Sequence, residues 1–318
     1  MKLTPAILRP LGLRLVHTLH PAERLILAMI AALGLATVAL TIGLQRQVNW
    51  PPFLVGIIAT LLMVAIGAYA RSVSAAPRLA YCAIGVGLFM GFTAFSTVFI
   101  FALFPLPNPL IDSQLVKADA LLGYSWAGYV DAMAHYPDTA KALRLVYNSA
   151  LPQIVLTILL LGALGRETQL HRFLLVGIVA MIFTTAIWWV WPSVGPSVVS
   201  ASLPQATGRV YDASYGPYLR QLVAVGPPII SPEMMAGVVG FPSYHLIMAC
   251  MVVWFTRGTF AAIPAVLINA AMIPATLLHG QHHLIDLFGG VAIFLLSARL
   301  AVVLVPGHRP EPPRVARA

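Results

Sequence analysis

The sequence predicts an all-α polytopic membrane protein, a helical bundle of about eight transmembrane helices, and three observations carry that prediction. First, 59% of the 318 residues are hydrophobic and only 9% are charged, with a mean hydropathy of +0.88. A soluble domain carries about 25% charged residues, so these charges are too few to cover a water-facing surface. Second, the apolar residues gather into runs close to the roughly 20 residues that a helix needs to cross a hydrocarbon core. Third, those runs are continuous and lack the short alternating segments of a membrane β-barrel. A net charge of +9 does not point to nucleic acid, because the basic residues are scattered between apolar runs with no aromatic-interleaved patch.

Taken in order, residues 5–20 read as a basic amphipathic helix lying on the membrane. The N-terminal stretch has no small-residue cleavage site after its apolar run and reads as retained. Spans are expected at 25–43, 53–70, 79–104, 143–163, 173–191, 241–256, 259–277 and 282–302, each bounded by charge, Pro or Gly. Between them lie two long polar connections, 105–142 and 192–240. The spacing of Leu110, Leu115, Leu121 and Leu122 allows a surface helix in the first, and the second, rich in Pro, Gly, Ser and Tyr, reads as a folded loop. The tail 306–318 is Pro- and Arg-rich and reads as disordered. Cys82 and Cys250 both fall inside apolar runs and imply no disulfide framework.

Orientation follows from Lys and Arg. With cytoplasmic termini the inside collects Lys2, Arg9, Arg14, Arg24, Arg71, Arg78, Arg166, Arg172, Arg257, Arg299, Arg309, Arg314 and Arg317. The outside keeps Arg46, Lys117, Lys141, Arg144, Arg209 and Arg220. Thirteen against six places both long connections on the extracytoplasmic side.

Two stretches carry the chemistry. "GFPSYHLIMA" (240–249) opens the sixth span and "HGQHHLIDLFGG" (279–290) opens the eighth. A single span runs between them, so both return to one membrane face. His282 and Asp286 are i and i+4 on a helix and share a side. A carboxylate there accepts the imidazole N–H, fixes the tautomer and leaves the other nitrogen free as nucleophile or base. His245 brings a second imidazole. Ser243 and the N–H groups that start its helix offer donors to an oxyanion or phosphate. A histidine near a helix end is commonly just a hydrogen-bonded interfacial group. Against that, Asp286 is the only acid inside any expected span, and an intramembrane carboxylate is by default functional. His279 and His283, also i and i+4, compete as a zinc pair. However, there is no H-E-x-x-H and no other carboxylate in a span, so no metal and no cofactor is expected. A serine-protease reading of Ser243 is weaker still, because the G-x-S-x-G elbow is lacking and Ser243 lies two residues from His245, too close for a conventional pair.

"FPSYH" and "HHLID", about 40 residues apart, resemble the second and third motifs of the type-2 phosphatidic acid phosphatase superfamily. The likeness is closest to its inositol phosphorylceramide synthase-like branch and more distant to sphingomyelin synthases. "WPSVGPS" (191–197) and "DALLGYSW" (119–126) support it. The resemblance covers about 79–302. It implies a six-helix catalytic domain at 79–305, preceded by a segment, 1–78, with two extra helices. It also implies that His282 attacks phosphorus to give a phosphohistidine, Asp286 orients it, His245 protonates the leaving group and then activates the acceptor, and Ser243 holds phosphate oxygens, all without metal. His283 stands where tyrosine is common and is given no catalytic role. The K-x6-R-P first motif of the phosphatase branch is missing, and Ala275 and Thr276 stand where that branch's third motif carries Ser-Arg, which leaves transferase chemistry open. Arg144, in "KALRLVYNS", and Arg220, in "YLRQL", are therefore the candidates to meet phosphate charge.

The reading is a membrane lipid phosphatase acting on a phospholipid or sphingolipid, in a bacterial inner membrane with its site on the extracytoplasmic face. A phosphotransferase using a lipid hydroxyl would share every catalytic residue. A transporter or non-catalytic membrane protein is the rival from another class. It would favour repeats and helices broken at matching places, and no such symmetry is evident.

Overall fold

The computed structural model of the chain describes residues 17–73, 76–200, 214–234 and 237–307. Most of the expected amphipathic segment 5–20, Arg209 and nearly all of the tail 306–318 lie outside the described residues. Among the described residues there are twelve α-helices and no strand. They are α1 (Pro21–Gly43), α2 (Trp50–Ser72), α3 (Pro77–Ala102), α4 (Asp112–Leu121), α5 (Trp126–Ala134), α6 (Pro137–Asn148), α7 (Ala150–Ala163), α8 (Glu167–Val190), α9 (Tyr215–Val225), α10 (Tyr244–Phe255), α11 (Ala262–His279) and α12 (Leu284–Leu304).

Six of these, α1, α2, α3, α8, α11 and α12, are long and apolar enough to cross a membrane. They fall where continuous apolar runs predict them. Two of the eight expected spans differ. The run 143–163 is divided into α6 and α7, which bend by 44° at Ser149; counted as one broken span, the pair makes a seventh. Pro152 accounts for the bend, because it has no N–H for the Asn148 carbonyl and its ring crowds that carbonyl. The Ser149 hydroxyl donates to Val146 O at 2.6 Å. The run 241–256 yields only the twelve-residue α10, roughly 18 Å long and too short for a core of about 30 Å. Its helix cannot start before Pro242, and Ser243 caps it by accepting Leu246 N–H at 3.5 Å. Just ahead of it, Val238, Gly240 and Pro242 are buried.

The first connection forms three helices, α4 to α6. α5 docks on the last turns of α11: the Trp126 indole donates to Leu277 O (3.0 Å) and the Tyr129 hydroxyl to Pro274 O (3.1 Å). In the second connection, described in part, Arg220 on α9 donates to Val198 O at 3.1 Å, and the Tyr215 hydroxyl donates to Gly237 O. α1 and α2 pack on α3, which in turn meets α7 and α8, while α10 is enclosed by α7, α8, α11 and α12. The largest cluster of buried apolar side chains, including Ile26, Leu88, Phe173, Leu175, Ile247 and Met272, joins these helices through the centre of the bundle.

Candidate active site

Three chain segments meet where α8 ends and α10 and α12 begin. Gly240 N–H donates to Ser193 O (2.7 Å) and Ser243 N–H to Asp286 O (3.0 Å), tying 193–195, 240–245 and 281–286 together. Glycine is required at two of the contacts. Gly195 has φ +102°, and a Cβ there would stand 2.3 Å from Gln281 O. A Cβ on Gly290 would come 2.6 Å from Ser243 O, so α12 approaches the α10 cap only because that side chain is absent.

Within this junction His282 Nδ1 lies 3.0 Å from Asp286 Oδ2. An ionised carboxylate only accepts, so Nδ1 carries the ring proton and Nε2 presents its lone pair. Ser243 Oγ stands 3.4 Å from that Nε2. Asp286, fully buried, also accepts His283 N–H at 2.9 Å through the same oxygen. The His245 ring meets the His282 ring edge-on, with centroids 6.4 Å apart. It is stacked on Tyr147 at 4.3 Å and 20°. Thus four of the expected site residues, Ser243, His245, His282 and Asp286, are brought together. Gln281, immediately before His282, is buried with φ +51°, a conformation that costs a non-glycine residue about 1 kcal/mol or more.

The two arginines are placed differently. Arg144 is exposed on α6, close enough to His279 for its charge to bear on that imidazole. Arg220 is also exposed, and its guanidinium is engaged by Ser197 O and Val198 O. The competing zinc pair does not assemble: His279 Nε2 stands 2.8 Å from Ala140 O, while His283 points to two carboxylates on α4.

Those carboxylates are the part of the site that sequence reasoning missed. Asp112 Oδ1 is 3.2 Å from His283 Nε2, and Asp119 Oδ2 is 3.2 Å from His283 Nδ1. Asp112 also accepts Ser193 Oγ–H (2.8 Å), Gly195 N–H (2.8 Å) and Val194 N–H (3.3 Å). Asp119 accepts Leu284 N–H (3.2 Å) and Ile285 N–H (3.0 Å), the unpaired donors at the start of α12. Burial pulls the His283 pKa down. The hydrogen bond to Asp112 and the charges of Asp286, Asp112 and Asp119 outweigh it and hold the imidazole above its ordinary value. The available signal was "DALLGYSW", where Asp119 leads the stretch; nothing in the sequence marked its partner 164 positions away.

An apolar cavity of about 250 Å³ reaches His245 from within the bundle, lined by Phe92, Ile100, Leu174, Met181 and Met248 among others. A second apolar groove, about 390 Å³, shares Phe92, Ser96, Ile100 and Met181 with it and extends between α1, α3 and α8.

The fold and site define a polytopic membrane protein in which an oriented imidazole and a second histidine meet at a helix end beside an apolar cavity. The family model described as the PAP2 superfamily matches residues 113–300, more than half of the chain, and the protein belongs to that superfamily. The matched range runs from the start of α4 into α12 and leaves α1 to α3 outside it. No curated protein and no solved structure gives a significant match. Superfamily membership carries phosphatase-type chemistry on lipid phosphoesters.

Proposed function

We propose that this protein hydrolyses a phosphomonoester or diphosphate of a membrane lipid through a phosphohistidine at His282. The observation that carries the reading is the Asp286–His282–Ser243 chain with His245 across from it. His282 Nε2, its lone pair exposed once the Ser243 hydroxyl swings to a phosphate oxygen, attacks phosphorus. As the P–O bond to the lipid breaks, His245, protonated beside the bound phosphate anion, gives its proton to the leaving oxygen. Neutral His245 then takes a proton from water, the water oxygen attacks phosphorus, and the P–N bond breaks to return His282. Asp286 holds Nδ1–H throughout and stabilises the positive ring. Ser243 and the first N–H groups of α10 hold phosphate oxygens. Arg144, exposed on α6, supplies counter-charge; Arg220 contributes by bracing the 196–198 turn. Residues 79–305 form the catalytic unit, with 1–78 added to it. The chemistry asks for no metal.

The second reading, transfer to a lipid hydroxyl in the manner of phosphosphingolipid synthases, is favoured by the cavity, which would let an apolar acceptor reach His245. The deciding experiment incubates purified enzyme with lipid phosphates in EDTA, with and without ceramide or diacylglycerol. Release of inorganic phosphate without acceptor is expected. Transfer only when acceptor is present would establish the synthase reading, and neither product would overturn both.

The Lys and Arg distribution supports an inner-membrane protein with the site on the extracytoplasmic side. A cysteine at Ser214, in a Cys82→Ala, Cys250→Ala background, is expected to react with an impermeant maleimide in intact cells, and one at Thr168 only after lysis. The reverse pattern would place the site inside.

A further inference from the structure

At the start of α8, roughly 25 Å along that helix from Trp188, lies a second cluster of ionisable groups. Its composition is not explained by the phosphoester chemistry. Glu23, on the first turn of α1, receives Arg71 through two bonds, Nη1 to Oε2 at 2.6 Å and Nη2 to Oε1 at 2.8 Å. His171 Nε2 stands 3.2 Å from Glu23 Oε1. Since that carboxylate can only accept, Nε2 carries the proton and Nδ1 carries a lone pair. His171 is 1% exposed, and its Nδ1 has no hydrogen-bond partner among the described residues. A buried acceptor left empty is costly and calls for an explanation. Beside it the His20 ring is stacked on His171, with centroids 4.7 Å apart. One ligand atom each from His20, Glu167 and His171 lie within 4.8 Å of one another.

We propose that His20, Glu167 and His171 bind a divalent first-row cation, zinc in the first instance, which fastens the start of α1 to the start of α8. Two imidazoles and a carboxylate form a zinc-type donor set that leaves a fourth position for water. Glu23 behind His171 supplies the carboxylate that orients a metal-binding imidazole and fixes its tautomer. The Glu167 Oε2 that accepts the Tyr81 hydroxyl at 3.1 Å is held in the same way. Ligand atoms around tetrahedral zinc stand roughly 3.4 Å apart, so the cluster closes by on the order of 1 Å. One bond must yield. Ala22 N–H now occupies the His20 Nδ1 lone pair at 3.1 Å, and that N–H is released whether the ion takes Nδ1 or, after a tautomer shift, Nε2. The bond from His20 N–H to Glu23 Oε2, 2.7 Å, keeps the α1 cap.

The proposal stands apart from the catalytic reading and is tested without turnover. Full-length protein in detergent is stripped with EDTA, moved to metal-free buffer and titrated with Zn²⁺. Uptake of one zinc per chain is expected, with a melting temperature raised by roughly 5 °C once zinc exceeds its Kd a hundredfold. Glu167→Gln keeps a partner for Tyr81, and His20→Asn keeps an N-cap acceptor, so both are expected to melt near the stripped wild type. Each should weaken zinc binding by more than the roughly 10–100-fold that loss of an outer-shell partner costs. Failure of stripped wild type to take up zinc at 100-fold molar excess, or unchanged affinity in the double variant, would overturn the proposal.

Discussion

The two ends of α8 pose the same electrostatic problem and solve it with different cations. At its start one buried carboxylate, Glu23, is met by a guanidinium in a two-bond pair, a partner that cannot lose its proton. At its far end Asp112, Asp119 and Asp286 stand buried together and are met by two imidazoles and a set of backbone N–H groups. The first arrangement keeps its charge at any physiological pH. The second depends on where protons sit, and proton movement is what phosphoryl transfer through histidine requires.

The far end makes a finer distinction between neighbours. His283 has both ring nitrogens on carboxylates and no free lone pair, so it fixes α12 to α4. His282 has one nitrogen on Asp286 and only a hydroxyl at 3.4 Å on the other. Identical side chains, one residue apart, thus divide into an anchor and the proposed nucleophile by the number of carboxylates that reach them.

If that division is right, the largest effect comes from removing the half-free imidazole. His282→Ala and His245→Ala are each expected to lower kcat by at least about 10⁴-fold while the protein still inserts, in line with the loss of nucleophile or base in catalytic triads. Activity of His282→Ala within tenfold of wild type would end the nucleophile assignment. Asp286→Asn, which keeps shape and loses charge, is expected to approach the roughly 10⁴-fold loss seen for an orienting carboxylate; an unchanged kcat would return Asp286 to a structural role.

Next in size is a matched pair, one variant at each end. Breaking a buried ion pair by removing one partner costs about 3–5 kcal/mol. Both Glu23→Gln and Asp119→Asn should therefore melt well below wild type. The comparison predicts that only Asp119→Asn also lowers kcat at a temperature where both remain folded, because Asp119 holds the N–H groups that precede Asp286 as well as His283. Equal kcat values in the two variants would show that the α4 clamp is scaffold alone.

Much of this was legible in the sequence, and the exceptions have physical causes. Continuous apolar runs located six spans because the bilayer imposes a length that composition alone can meet. The i, i+4 spacing of His282 and Asp286 survived folding because both sit at one helix start. Length failed for α10, where Pro242 and the Ser243 cap delay the helix, and for 143–163, where Pro152 bends it. Glu23 was missed as an intramembrane acid because Pro21 and the His20–Glu23 cap start α1 ahead of its apolar run. Asp112 and Asp119 read as surface residues of a polar connection. Their burial depends on α4 folding back over the start of α12, a contact between segments about 165 residues apart that no local pattern encodes.

The smallest expected effect separates the two cations by pH. The folded-state pKa of His283 is raised above its ordinary value of about 6.5. The stabilisation from its protonated form is then complete below that ordinary value and is lost as pH rises through the raised one. The Glu23–Arg71 pair contributes nothing to such a slope in that range, because the guanidinium does not titrate there. Melting temperatures of wild type measured from pH 5.5 to 9 should accordingly fall toward the alkaline side. His283→Gln removes the titrating group, so its curve should lie lower throughout but decline less over the same interval. Parallel curves for the two proteins would mean that His283 does not carry the proton balancing Asp112 and Asp119. Asp112 and Asp119 would then rest on backbone donors and the Ser193 hydroxyl, and the contrast between the two ends of α8 would reduce to geometry.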